Sequence, residues 1–128
     1  MRDHTKLEAF RLADQLALRI YAITRQFPDE ERFGLTSQMR RAAVSVAANI
    51  VEASARLSQA DYLRFLSIAY ASAKELQYEI SLSVRLNYVD ADIAGRTVQE
   101  STSTCRALAA LIAAIRNNHT SSHSGRSP

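Results

Sequence analysis

Apolar positions recur at steps of three and four in four long segments of the 128-residue chain. Each segment is rich in Ala, Leu, Arg, Glu and Gln and contains no Pro, so each reads as a helix. The first is predicted from about Leu7 to Gln26. Thr5 and Glu8 are spaced as a capping box before it, and Phe10, Ala13, Leu16, Ala17, Ile20 and Ile23 lie along one broad face. Phe27-Pro28-Asp29 ends it, because the residue before Pro is pushed out of the α region.

The second helix is predicted from Gly34–Ser37 to about Ala55. The third begins after Ser58 as N-cap, with Asp61 at the capping-box position, and runs to Leu86. Its narrow core stripe is Tyr62, Phe65, Leu66, Ala69, Ala73, Leu76, Ile80 and Val84. Asp90 caps the fourth, whose seam is Ala94, Val98, Ser101, Cys105, Leu108, Ile112 and Ile115. It is predicted to end near Asn117, leaving residues 118–128 as a disordered polar tail. Short connections make sequential helices antiparallel neighbours. The expected fold is therefore all-α: one antiparallel up-down-up-down four-helix bundle over residues 1–117.

The second helix departs from the pattern of a water-facing bundle member. Beside its main apolar face (Leu35, Met39, Ala42, Val46, Ile50, Ala53), a second apolar region holds Val44, Ala47, Ala48 and Val51. A helix apolar nearly all round is buried on more than one side. The chain has no spare apolar segment to cover it, so the pattern predicts a homo-oligomer with this helix near the subunit interface. Gln38, Arg41, Ser45, Asn49, Glu52 and Arg56 form a polar seam within roughly an 80° sector at ~100° per residue. Two readings stand: a ligand or nucleic-acid stripe, and a hydrogen-bonded, ion-paired seam between helices or subunits. Glu52 and Arg56 are spaced to pair. Arg41 and Glu52 are too far apart to do so, and Glu75 and Glu79 on the third helix are candidate partners for Arg41.

Composition narrows function mainly by exclusion. Three Gly and two Pro are too few for the turns of a sandwich or barrel. The net charge of +3 is mildly basic, and the cations are fourteen Arg against two Lys. Arg40, Arg41 and Arg56 give local positive density on the second helix, with Arg11, Arg19 and Arg25 on the first as a second group of candidate nucleic-acid contacts. RNA, DNA or an acidic protein are all admissible partners, and weak phosphate sites gain from repetition in an oligomer.

Catalytic and cofactor motifs are absent. The three histidines, His4, His119 and His123, fall outside the predicted bundle, and no Glu-x-x-His pair, H-E-x-x-H, C-x-x-C or phosphate loop occurs. Cys105 reads as a small buried hydrophobe. No enzyme activity, metal or cofactor is expected. One Cys, a polar and acidic start, and no apolar run of ~18 residues point to a cytoplasmic chain without membrane partners.

Phe33-Gly34-Leu35-Thr36-Ser37-Gln38-Met39-Arg40-Arg41-Ala42-Ala43-Val44-Ser45-Val46, followed by Asn49-Ile50 and Glu52, resembles the bacterial four-helix-bundle proteins named after 23S rRNA intervening sequences. The likeness continues through Tyr62, Phe65-Leu66, Glu75-Leu76 and Tyr88, covering about residues 7–117. Ala47 stands where that pattern commonly has Pro, and Asn87 where it has Gly. The resemblance implies a bundle assembling as a ring-like homopentamer. It extends to the diversity-generating retroelement accessory protein Avd, which forms such a ring and binds a reverse transcriptase and nucleic acid. It implies no catalytic role for Arg41, Asn49, Glu52 or Glu75.

Overall fold

The computed structural model describes residues 2–124, with side chains described to residue 118. Four helices make up the fold: α1 (Glu8–Thr24), α2 (Leu35–Ser54), α3 (Gln59–Arg85) and α4 (Ala91–Ser124). Single 3-10 turns at His4–Lys6 and Asp29–Glu31 precede α1 and α2. Each helix packs on its sequence neighbour and α4 closes onto α1, while among the described residues the diagonal pairs bring no Cα atoms within 8 Å of one another. Cross-helix contacts such as Ser45 with Ser72 and Gln59 with the Ile115 carbonyl run in opposite sequence directions, so neighbours are antiparallel. The expected up-down-up-down bundle is the observed one.

The core divides into two apolar layers. One gathers Ala13, Val46, Ile50, Leu66, Ala69, Ala73 and Leu108; the other gathers Leu16, Ile20, Met39, Ala42, Leu76 and Ile80. Small alanines on α1 and α3 in the first layer let the helices approach closely, as the third-helix stripe predicts.

The helix ends explain the connections. Ser58 Oγ accepts from the Asp61 N–H at 3.1 Å, the predicted cap of α3. At the other end Asn87 takes the left-handed conformation (φ 62°). Its N–H reaches the Val84 carbonyl, and the Tyr88 N–H reaches the Ser83 carbonyl, both at 3.0 Å: a Schellman closure with Asn in the position usually given to Gly. Glu31 serves α2 from outside the helix. Its Oε1 accepts the Leu35 N–H at 3.2 Å, and its Oε2 accepts the Tyr88 hydroxyl at 2.8 Å, tying the start of α2 to the α3–α4 turn.

Three expectations are corrected. Thr5 and Glu8 do not form a capping box. Asp3 instead caps the short 3-10 turn through Thr5, and Glu8 turns to Arg11, because a charged partner three residues on outcompetes the cap. Val98 is not in the seam of α4 but 43% exposed, whereas Thr97 and Thr104 are fully buried. Each threonine hydroxyl bonds the carbonyl four residues back, so a polar residue fills a core position at little cost. Finally, α4 continues past Asn117 to Ser124, where a disordered tail was expected from residue 118. No Gly or Pro interrupts residues 96–124, so the backbone has nothing to stop it. Residues 125–128, and the side chains of His119 and His123, lie outside the described residues.

Candidate assembly and nucleic-acid interface

The two unusual regions of α2 occupy adjoining sectors of that helix. Val44, Ala48 and Val51 follow one another at i, i+4 and i+7 on its outward face. Val44 is 46% and Val51 38% exposed, and Ala48 is exposed as well. Ala47 differs: it is half-buried and packs against the first core layer. The excess apolar character that the sequence shows is thus a real uncovered stripe in the single chain.

The polar seam faces α3. Asn49 Nδ2 donates to the Ser45 carbonyl at 2.8 Å and to Ser45 Oγ at 3.0 Å. Ser45 Oγ then meets Ser72 Oγ at 2.8 Å across the helix pair. Glu52 pairs with Arg56, as the spacing predicts. The Arg56 guanidinium also lies 4.5 Å from the centre of the Phe65 ring, which Arg64 approaches as well at 4.4 Å. Arg2, which no sequence pattern singles out, closes this end: Nη1 donates to the Arg56 carbonyl at 3.1 Å and the guanidinium covers Tyr62 at 3.9 Å.

Towards the middle of α2 the seam opens. Gln38, Arg41, Ala42, Ser45, Ser72 and Glu75 line a cleft of about 270 Å³ between α2 and α3. Arg41 and Glu75 stand on its walls without forming an ion pair, so the expected pairing of Arg41 with Glu75 or Glu79 is not made within the chain. Glu79, one turn beyond Glu75, is only 4% exposed, and its Oε1 has no hydrogen-bond partner among the described residues. Burial, reinforced by the neighbouring Glu75 carboxylate, pushes its carboxyl up to about 7. The sequence marks Glu75 and Glu79 only as candidate partners for Arg41, not Glu79 as a buried acid. The signal was there: Glu79 lies seven residues from Ser72, so both point the same way to within about 20°.

The candidate nucleic-acid arginines do not converge on one patch. Arg40 and Arg41 are consecutive and so diverge by about 100°. Arg40 turns to α1, donating to Thr24 Oγ1 at 2.9 Å and lying over Tyr21 at 4.7 Å, while Arg41 lies at the α3 side. Arg11 makes a two-pronged pair with Glu8 (2.5 and 3.0 Å), and Arg19 ties α1 to α4 through Glu100 at 2.7 Å. Those carboxylates hold both guanidinium groups more firmly protonated than usual. Arg25 and Arg41 have no side-chain partner among the described residues. Cys105 is buried, and burial raises its thiol above the ordinary range, away from a nucleophile's needs. No helix among the described residues is long and apolar enough to cross a membrane.

Comparison with known proteins accords with this architecture. The family described as 23S rRNA-intervening sequence protein matches residues 5–110. Among solved structures, the chain is similar to a crystal structure from Bacteroides thetaiotaomicron, a member of the S23 ribosomal protein family with unknown function. The two are 28% identical with a TM-score of 0.75, over 81% of this chain and 97% of that one. No curated protein matches.

Proposed function

Since this chain belongs to the 23S rRNA-intervening sequence protein family, we propose that it is a non-enzymatic homo-oligomeric assembly module whose assembled surface takes nucleic acid or a nucleic-acid-processing protein. The carrying observation is the outward stripe of α2. Val44 and Val51 together leave roughly 130 Å² of side chain in water, and covering it at ~25 cal/mol/Å² is worth about 3 kcal/mol per subunit. The sequence resemblance gives a pentamer as the expected closure. Five copies multiply the charge of +3 and repeat Arg25 and Arg41, the two candidate contacts that no carboxylate of the same chain holds among the described residues.

Ala48→Arg is the test of assembly. Arg is nearly as good a helix former as Ala, so the chain keeps its fold while the stripe gains a charge. The parent is expected to sediment as a multimer and the variant as a 14.2 kDa particle. A parent that is monomeric at micromolar concentration overturns the proposal. For the ligand, a labelled RNA is expected to be retained at low salt and released as salt rises.

A second reading, an adaptor that meets protein rather than nucleic acid, is favoured by one observation. Arg11, Arg19 and Arg56 already hold carboxylates, which compete with phosphate for the same donors. Absence of RNA retention by an intact multimer at low salt selects the adaptor.

A further inference from the structure

Between α3 and α4 lies a cleft of about 210 Å³. Ile80, Val84 and Val98 make its wall apolar, the exposed Ser81 and Arg85 stand at its rim, and Ser101 belongs to its lining. Ser101 is 1% exposed, and its Oγ has no hydrogen-bond partner among the described residues. Buried hydroxyls elsewhere in the bundle close on their own helix. Those of Thr24, Ser54, Ser83, Thr97 and Thr104 each donate to a carbonyl three or four residues back. Ser101 follows Thr97 by one turn, and a serine can close on its own helix in the same way. Its hydroxyl stays open where those of its neighbours do not. A buried polar atom without a partner is rare and has a cause, and here the atom belongs to the wall of a cleft.

We propose that this cleft binds a small uncharged aromatic molecule carrying one hydroxyl, a phenol, whose ring lies against Ile80, Val84 and Val98 and whose hydroxyl bonds Ser101 Oγ. Size, polarity and charge select that chemistry. An apolar cavity of about 150 Å³ holds a benzene ring, so 210 Å³ takes one ring with a substituent. A rigid ring also avoids the ordering cost of a flexible chain. Water is a poor occupant, because it needs roughly two to four polar partners. Ser101 Oγ is the unpartnered buried atom of this lining, and the Gln77 side-chain carbonyl is already taken by Lys74 Nζ at 2.9 Å. Among the described residues no carboxylate or ammonium lines the cleft, and Arg85 stays at the rim with its Nε on the Ser81 carbonyl at 3.3 Å. A charged group at the depth of Ser101 would meet no counter-charge. A phenol hydroxyl donates and accepts, as the serine hydroxyl does, so the two satisfy each other in either sense. The cleft lies off α2, so the proposal stands apart from the assembly reading above.

The test is a titration of the nitrogen-15-labelled protein with phenol and, separately, with benzene, read from the backbone amide shifts around Ile80, Val84, Val98 and Ser101. Phenol is expected to shift these amides saturably and to bind roughly fivefold more tightly than benzene, the worth of one hydrogen bond. Ser101→Ala is expected to weaken phenol by about the same factor without weakening benzene. Val98→Trp fills the cleft from a position 43% exposed, outside the core, and is expected to abolish binding of both. The same spectra report that each variant is folded. Parental phenol affinity in Ser101→Ala overturns the hydroxyl contact and the proposal with it. Phenol binding that survives Val98→Trp, or no saturable shift of these amides at millimolar phenol, overturns the site.

Discussion

Ser101→Ala is expected to stabilise the protein, although it deletes a polar group from a position the seam of α4 requires. Ser101 is 1% exposed and its hydroxyl oxygen has no hydrogen-bond partner among the described residues. The nearby cleft of about 210 Å³ is largely apolar, with Ile80, Val84 and Val98 in its wall. A buried hydroxyl without a partner costs about 1–3 kcal/mol by mutational data. Replacing Ser by Ala inside a helix adds roughly 0.5 kcal/mol. Lost packing around one missing oxygen takes back a similar ~0.5 kcal/mol, because the void is smaller than a methyl group. The net gain is about 1–3 kcal/mol, or roughly 3–12 °C in Tm for a chain of this length. The chain has no Trp, so urea unfolding is best followed by far-UV circular dichroism at matched protein concentration. Thr104→Ala is the control. Its hydroxyl already bonds the Glu100 carbonyl at 2.9 Å and its methyl is buried, so that variant loses about 1–2 kcal/mol. Should Ser101→Ala instead destabilise by more than about 0.5 kcal/mol, the Ser101 hydroxyl has a partner and the reasoning fails.

Three further outcomes follow from the helix ends and the buried acid. Gly34→Ala places a Cβ 2.8 Å from Glu31 Oε1, the oxygen that accepts the Leu35 N–H, so it is expected to cost about 1–2 kcal/mol in urea unfolding. No such loss in Gly34→Ala would mean that the Glu31 carboxylate moves aside freely. Asn87→Gly relieves a left-handed residue at the end of α3 and is expected to gain about 0.5 kcal/mol, read as a small rise in urea midpoint; a fall refutes the Schellman account. In the dissociated chain, Glu79 carries a carboxyl raised from 4.5 to about 7, so the folded state holds more protons than the unfolded state in that interval. Stability then falls as pH rises through the window, by at most about 3 kcal/mol, and Glu79→Gln flattens the profile. A parental profile that stays flat from pH 5 to 8 under dissociating conditions contradicts it.

The helices and their order were legible because a bundle helix announces itself locally. Apolar residues must return every 3.6 positions to face one core, and Ser58, Pro28 and Asp90 sit where the backbone needs a cap or a stop. The stripe Val44, Ala48 and Val51 was legible for the same reason, since one helix shows more apolar surface than one core can hide. Hydroxyl positions were not. Thr97 and Thr104 look polar in sequence, yet each satisfies its own hydroxyl on the preceding turn and so enters the core in place of Val98. The fate of each charge was also closed to sequence. Spacing along one helix foretold Glu52 with Arg56, but Arg19 with Glu100 and Arg40 with Tyr21 depend on which helices become neighbours and at what height. Glu79 is the sharpest case. Its periodicity set its direction, while only the packing of the bundle decided that it would be buried beside Glu75. Direction is a property of a single helix, whereas burial and pairing belong to two packed surfaces, and the chain specifies the second only by folding.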